Sequence, residues 1–118
     1  MAPKGLSFPK SARLTKSAEL IVVLKTGRRV RSEHLELRGL ASLSHHGRVG
    51  VIVPKHRHSA VERNRLKRRL REIIRLHVLW TMNELQLVIR TSPGAYDASF
   101  EQLRVEILRG VDQLQTSR

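Results

Sequence analysis

The stretch from Ser59 to Arg75 reads SAVERNRLKRRLREIIR, and it combines dense positive charge with apolar residues at helical spacing. At about 100° per residue, one stripe collects Leu66, Leu70, Ile73, Ile74 and His77, whereas Asn64, Arg68, Arg71 and Arg75 lie opposite it. A disordered basic tail has no physical reason to keep this spacing. The pattern therefore predicts a helix with a core side and a charged side.

The start of this helix is marked by Ser59 and, three residues later, by Glu62. Such a pair is a capping box, in which each side chain accepts a hydrogen bond from a backbone N–H group that the first turn leaves free. Arg63 and Arg65 then fall in the first two turns, where the helix dipole disfavours cations by a few tenths of a kcal/mol each. A helix that keeps this mismatch is typical of one that binds an anion, and the free N–H groups at the same end favour phosphate.

Glu62 and Glu72 are the only acidic residues between positions 59 and 77, too few to neutralise the basic residues of the helix through i,i+4 pairs. The whole chain has a formal net charge of +13 and a pI of about 11.6. A solvated face is the alternative interpretation of any charged helix, but charge at this density destabilises the folded state unless a polyanion lies close. Nucleic acid is the expected partner, ahead of an anionic membrane.

The chain of 118 residues is long enough for one hydrophobic core. We expect a flexible basic segment at residues 1–12 and a single domain at residues 13–118. The sequence contains no cysteine, which excludes a disulfide framework and makes the cytoplasm the default location. It also lacks an apolar run of the roughly eighteen residues that a membrane span needs.

The remaining chain divides into a few regular elements. A short helix is predicted at Ser17–Lys25, capped by Thr15 or Ser17 and ended by Gly27. Strands are predicted where Leu35, Leu37 and Ala41 alternate with polar residues, at Arg48–Val53 before Pro54, and at Leu85–Arg90. A turn is expected at Ser44–Gly47, and a terminal amphipathic helix at Ser99–Leu114, opened by Ser99 and Gln102.

The predicted order is helix, strand, strand, strand or loop, basic helix, strand, helix. This order indicates an α+β fold, a small two-layer α/β sandwich with helices packed on a four-stranded sheet. Arg48–Val53 and Leu85–Arg90 are joined across the long basic helix, so they can pair in parallel.

The motif Arg63-Asn64-Arg65, within AVERNRLKRRLRE at residues 60–72, resembles the protein subunit of bacterial ribonuclease P. The segments RLTK at 13–16 and KTGR at 25–28 are similar to the opening helix of that family. The segments RVGVIVPK at 48–55 and VIR at 88–90 are similar to the strands that flank its motif. The resemblance covers roughly residues 13–115, and the ordered set of segments is more specific than any one of them.

The resemblance implies a left-handed crossover through the motif helix, an exception to the usual right-handed preference. It implies a ribonucleoprotein that removes the 5′ leader from precursor tRNA, in which the RNA subunit, with bound magnesium, performs the hydrolysis. The resemblance further implies that the protein is a monomer within this particle and binds both the RNA subunit and the leader. Carried over by position, the resemblance implies that the RNA subunit is contacted by Arg63, Asn64, Arg65, Lys67, Arg68 and Arg71. Lys55 would lie at the helix entrance, and Arg69 belongs to the same basic run. Arginine suits this role because it binds phosphate bidentately and stacks on bases.

In the family, the leader lies in a cleft between the sheet and the first helix, often against aromatic rings. The matching positions here are Leu20, Leu24 and Arg38, and none is aromatic. The two leucines also fit an ordinary core role, and Arg38 suits either stacking or a phosphate contact. We therefore expect leader recognition to be electrostatic and weakly dependent on sequence.

The same residues allow other interpretations. His56 and His58, with His45 or His46, supply imidazoles, but no cysteine or suitably spaced acid completes a metal site. The acidic residues are scattered singly, so the sequence shows no carboxylate cluster for catalytic magnesium, and we expect no catalytic residue in this chain. A helix-turn-helix DNA reader does not fit, because a proline-ended strand precedes Ser59. A ribosomal or general structural RNA-binding protein remains the alternative.

Overall fold

The computed structural model describes residues 10–41, 47–79, 82 and 84–116. Its elements are α1 (Ser17–Thr26), β1 (Arg28–Arg31), β2 (Leu35–Ala41), β3 (Arg48–Ile52), α2 (Ala60–Ile73), β4 (Leu85–Thr91) and α3 (Phe100–Thr116). Short 3₁₀ turns occur at Lys10–Ala12 and Pro93–Asp97. Among the described helices, none combines the length and apolar character that a membrane crossing requires. Residues 44–46 of the predicted turn, and residues 1–9 of the segment expected to be flexible, lie outside the described residues.

The four strands form one sheet in the order β1-β2-β4-β3. β2 pairs antiparallel with both β1 and β4, and β3 pairs in parallel with β4, with Val49 opposite Leu87. The predicted parallel pair is therefore confirmed, and α2 forms the connection between its strands. β1 was not placed by the sequence pattern because its four residues, RRVR, include a single apolar side chain. The strand exists through its pairing with β2 rather than through its own hydrophobic pattern.

The larger core lies on the sheet face that α2 and α3 cover. It joins Leu37, Leu87 and Ile89 of the strands to Leu70 of α2 and Ile107 of α3, each at most 1% exposed. A smaller cluster of Leu14, Val23 and Val88 lies on the opposite face, under α1. Because α1 is short, it covers only part of that face and leaves the rest of the sheet open.

β3 approaches the chain segment before α1 very closely at Gly50. The backbone N–H of Leu14 donates to the carbonyl of Val49 at 2.9 Å, and Arg13 bridges in parallel to the same residue. A Cβ atom on Gly50 would lie 2.6 Å from both the Leu14 carbonyl oxygen and Leu20 Cδ2. The absence of a side chain at residue 50 thus lets this segment pack against the edge strand.

The buried stripe predicted for α2 is confirmed, since Leu66, Leu70, Ile73 and Ile74 are all at most 3% exposed. The capping box is also confirmed: the Glu62 N–H donates to Ser59 Oγ at 3.1 Å, and the Ser59 N–H donates to Glu62 Oε1 at 3.0 Å. After Ile73 the helix widens into a π-helical turn at Ile74–Val78, which the apolar spacing did not indicate.

Helix α3 opens with the predicted pair, because Ser99 and Gln102 exchange the same two hydrogen bonds as a capping box. The cap predicted for α1 was wrong. Lys16 occupies the N-cap position, and no side chain caps this helix. Gly27 ends α1 as expected, but with φ of −70° rather than in the left-handed region, so here glycine avoids a clash between a Cβ atom and the Val23 carbonyl oxygen.

Candidate nucleic-acid interface

The side of α2 that faces away from the core is exposed and basic. We call it the exposed basic face, and it consists of Asn64, Arg65, Arg68 and Arg71. Within the described part of the chain, these four side chains form no hydrogen bond or ion pair. The capping box fixes where α2 begins, and the buried leucines fix its rotation. As a result, three guanidinium groups extend from a rigid scaffold with their donors available to a ligand.

Two other arginines of the predicted RNA-binding set have a structural bond as well. Arg63 Nε donates to the carbonyl oxygen of Val53 at 2.6 Å, and Arg69 Nη1 donates to that of Ala98 at 2.9 Å. Both side chains are half-buried. Because a guanidinium carries five N–H donors, each residue keeps others for a ligand. The helical spacing does not distinguish the arginines of this run, whereas these two bonds set Arg63 and Arg69 apart from the others.

The positive potential along α2 acts on Lys67. Desolvation of its half-buried side chain, and then repulsion from Arg63 and Arg71, lowers the pKa of this amino group. A bound polyanion would relieve that repulsion. Lys55 is exposed just ahead of α2, as expected from its position in the sequence.

The acidic residues near this surface are already engaged. A hydrogen bond from the Ser59 backbone, and next one from the His58 side chain, lower the pKa of Glu62 from 4.5 to about 2. Glu72 pairs with Arg75 one turn along the helix. Magnesium binds clustered carboxylate and carbonyl oxygens, and these two single carboxylates among arginines do not provide such a cluster. The residues of this surface therefore do not fit a resident magnesium ion.

A second basic surface lies on the part of the sheet that α1 leaves open. We call it the sheet cleft, and it consists of Arg29, Arg31, Glu36, Arg38 and Arg90. The strand register places Arg29 opposite Arg38, and Glu36 between Arg31 and Arg90. Glu36 Oε1 lies 3.5 to 3.9 Å from a nitrogen of Arg29, Arg31 and Arg38. Four arginines against one glutamate leave this cleft positive.

The residues predicted for leader binding divide between this cleft and the core. Arg38 Nη1 donates to the carbonyl oxygen of Leu24 at 2.6 Å, so the structure brings these two residues together where α1 meets the sheet. Leu20 and Leu24 both pack against the smaller hydrophobic cluster. Sequence reasoning missed Arg29, Arg31 and Arg90. The alternation of Arg90 with buried Ile89 and Thr91 is the signal that would have placed Arg90 on the open face.

The turn before α2 has an unusual backbone. His56 and Arg57 have φ of 46° and 71°, and the His58 N–H donates to the Lys55 carbonyl at 2.8 Å. His58 stacks on Tyr96, with ring centroids 3.7 Å apart and planes 7° from parallel. Its Nδ1 lies 2.9 Å from Glu62 Oε2. His45 and His46, the other imidazoles that could join His56 and His58 in a metal site, lie outside the described residues.

A separate cluster ties the β1–β2 turn to α3. Glu106 Oε1 accepts hydrogen bonds from Ser32 Oγ at 2.5 Å and from the His34 N–H at 2.8 Å, and its Oε2 lies 2.5 Å from His34 Nδ1. Ligand atoms of Glu33, His34 and Glu106 lie within 4.8 Å of one another, a spacing that could hold a cation. Burial raises the pKa of Glu106, but the hydrogen bonds from Ser32 and His34 outweigh it and lower the pKa overall. With these donors the cluster acts as a structural clamp.

Comparison with known proteins agrees with this geometry. The family model for ribonuclease P matches residues 8–115. The ribonuclease P protein component of Chlamydia trachomatis serovar L2 is 36% identical over 110 residues, covering 92% of this chain and 89% of its own. That of Rhodococcus erythropolis is 32% identical over 115 residues, covering 91% of each chain.

Solved structures share the fold. The ribonuclease P protein of Staphylococcus aureus superimposes with a TM-score of 0.78 at 23% identity, covering 87% of this chain and 94% of that one. The corresponding protein of Thermotoga maritima gives a TM-score of 0.76 at 21% identity, covering 86% and 96%. Family match, identity and fold agree along nearly the whole chain. It belongs to the family of bacterial ribonuclease P protein components, RNA-binding proteins of tRNA processing whose partner is the ribonuclease P RNA.

Proposed function

We propose that this chain binds the catalytic RNA subunit of ribonuclease P through the exposed basic face of α2, and the 5′ leader of precursor tRNA through the sheet cleft. The observation that carries the proposal is the set of guanidinium groups on Arg65, Arg68 and Arg71, which have no partner among the described residues and extend from a helix anchored in the core. A surface of this kind binds phosphate, because neutralising an RNA backbone releases its counterions.

In this proposal the RNA subunit hydrolyses the phosphodiester bond that joins the leader to the tRNA. The RNA subunit also binds the magnesium, which supplies the charge that stabilises the reacting phosphate and activates water. The protein contributes by positioning the leader relative to the RNA subunit. Arg65 and Arg68 hold the RNA subunit, and the sheet cleft holds the leader beside it, so that the scissile phosphate is presented in one orientation. We propose the cytoplasm as the compartment, since precursor tRNA is made there, and one protein copy per particle.

Leader contact in the sheet cleft is proposed to be electrostatic. Arg31 and Arg90 flank Glu36 on the open face, and none of the cleft residues is aromatic. Arginine can bind phosphates of any leader, so affinity depends on backbone charge more than on base identity. Replacing Arg90 with glutamine should reduce the preference for precursor over mature tRNA, whereas leaders of different sequence should bind with similar affinity.

The test of the α2 interface is the affinity of this protein for the ribonuclease P RNA as a function of salt. Arg68→Ala should weaken binding and reduce the log–log salt slope by about one unit, because one phosphate contact is lost. Arg104→Ala is the matched control, since Arg104 pairs with Glu101 on α3. An unchanged slope in folded Arg65→Ala and Arg68→Ala variants removes α2 from the interface. Equal affinity for ribosomal RNA would favour the general RNA-binding alternative.

A further inference from the structure

A groove runs between α2 and the 3₁₀ turn at Pro93–Asp97. It is lined by Glu62, Arg65, Leu66, Arg69 and Tyr96. The four α2 residues share one side of the helix because they are three, four and seven positions apart. The groove therefore combines an aromatic ring, an apolar floor, two guanidinium groups and one carboxylate. This composition differs from that of the exposed basic face, which has no ring.

The aromatic wall of the groove is held in place before any ligand arrives. Tyr96 lies flat against His58, and its hydroxyl donates to the Pro54 carbonyl at 2.7 Å. His58 is held from its edge by Glu62. The two rings thus form a platform whose orientation is fixed by hydrogen bonds. A ligand that stacks on it loses little entropy in ordering the protein.

The charges in the groove suit a phosphate next to a base. Arg65 has no partner within the described residues, and Arg69 uses one N–H on the Ala98 carbonyl and keeps the others. Leu66, at 3% exposure, provides the apolar floor. The Glu62 carboxylate already accepts from the Ser59 N–H through Oε1 and faces His58 through Oε2, but each oxygen keeps a second lone pair that can accept from a base amino group.

The backbone directly before His58 is strained. His56 and Arg57 are the central residues of a turn that needs positive φ at both positions, and neither is glycine or asparagine. Two such residues store conformational energy that the folded state must offset elsewhere. The His58 N–H donates to the Lys55 carbonyl and closes the turn, which places the His58 ring against Tyr96.

We propose that this groove is a nucleotide subsite, in which an unpaired nucleobase of the RNA partner stacks on the Tyr96 side of the His58–Tyr96 platform while Arg65 and Arg69 bind its phosphate. Base stacking on aromatic side chains is how proteins hold single-stranded RNA. The subsite rests on the proposed function in one respect, namely that the RNA bound to α2 supplies the base. It goes beyond that function by adding base stacking, an uncharged contact, to a surface that otherwise binds RNA through its charge.

The first test uses adenosine 5′-monophosphate as the probe and ribose 5-phosphate as the control that lacks a base. We follow the ring protons of His58 and Tyr96 by NMR; Tyr96 is the single tyrosine of the chain. The subsite predicts upfield shifts of the ring protons, largest at Tyr96, with the nucleotide and not with ribose 5-phosphate. Identical shifts with both compounds, or none with either, would overturn the stacked base.

The second test measures affinity for the ribonuclease P RNA across a range of salt. His58→Gly removes the ring that supports Tyr96 and should weaken binding by roughly 5- to 150-fold, the range for losing one stacked base, with an unchanged salt slope. His58→Phe keeps a ring but not the bond to Glu62, so it should bind nearly as tightly as the native protein. Thermal unfolding of both variants controls for stability.

The two proposals fail in different ways. If His58→Phe and His58→Gly weaken binding equally, the ring is not a base platform and the subsite is wrong, even where Arg68→Ala still reduces the salt slope. If the native protein has no preference for the ribonuclease P RNA and Arg68→Ala changes nothing, the proposed function is wrong. In that case shifts with adenosine monophosphate would still report whether the groove binds a base.

Discussion

Arg63 ties α2 to the end of β3, because its Nε donates to the carbonyl oxygen of Val53 at 2.6 Å. The first arginine of the Arg63-Asn64-Arg65 motif is therefore part of the fold as well as part of a basic surface. Arg65 and Arg68 have no such bond within the described residues. The arginines of one helix should accordingly separate in mutational studies into those that affect folding and those that affect RNA affinity.

Replacing Arg63 with alanine should lower the free energy of unfolding by about 1.5–3 kcal/mol, the range for a hydrogen bond that involves a charged group. Arg68→Ala should change it by less than about 0.5 kcal/mol, because Arg68 is an exposed side chain without a partner. Urea denaturation of both variants makes the comparison. Equal stabilities would show that the bond to Val53 contributes nothing.

Replacing Ser59 with alanine should destabilise the protein by about 1 kcal/mol, because one side of the capping box is removed. Ser17→Ala is the matched control. Ser17 lies in the first turn of α1, a helix that no side chain caps, so this change should be nearly neutral. Thermal unfolding of both variants tests the assignment, which a large effect at Ser17 would contradict.

The lowered pKa of Glu62 predicts a pH-dependent contribution to stability. The folded-state pKa, about 2, lies below the ordinary value of 4.5, so ionised Glu62 stabilises the fold fully above pH 4.5, and this contribution falls as the pH drops toward 2. Glu62→Gln lacks the ionisable group. The stability difference between native and variant protein should therefore shrink between pH 4.5 and 2. A difference that stays constant over this interval would rule out the ionised capping box.

Replacing Leu70 with alanine should cost about 2–5 kcal/mol of stability, since this side chain is fully buried and its removal leaves a cavity. Val61 is the control on the same helix. Its side chain is 67% exposed, so Val61→Ala should have little effect. Chemical denaturation distinguishes the two, and similar values would mean that α2 packs through a different side.

Local signals in the sequence predicted much of this fold. The pairs Ser59–Glu62 and Ser99–Gln102 act within one turn, and both capping boxes are present. The apolar stripe of α2 was equally local, because helical spacing alone determines which residues share a side. The parallel pairing of β3 with β4 followed from the length of the connection between them.

Features set by distant residues were not predictable in the same way. β1 forms because β2 offers a pairing edge, and its own residues are mostly arginine. The bonds of Arg63 and Arg69 depend on where Val53 and Ala98 lie after folding. The His58–Tyr96 platform joins residues 38 positions apart, and no spacing rule connects them. The charge density indicated an RNA partner, but it did not indicate which arginines are bonded within the fold and which can bind RNA.

The most direct test of the account is cleavage of precursor tRNA at low magnesium, comparing the ribonuclease P RNA alone, this protein alone, and the two combined. The account predicts efficient removal of the 5′ leader only in the mixture, because the protein positions RNA and leader while the RNA performs the chemistry. Cleavage by the protein alone would contradict the placement of catalysis on the RNA. A mixture no more active than the RNA alone would contradict the proposed function itself.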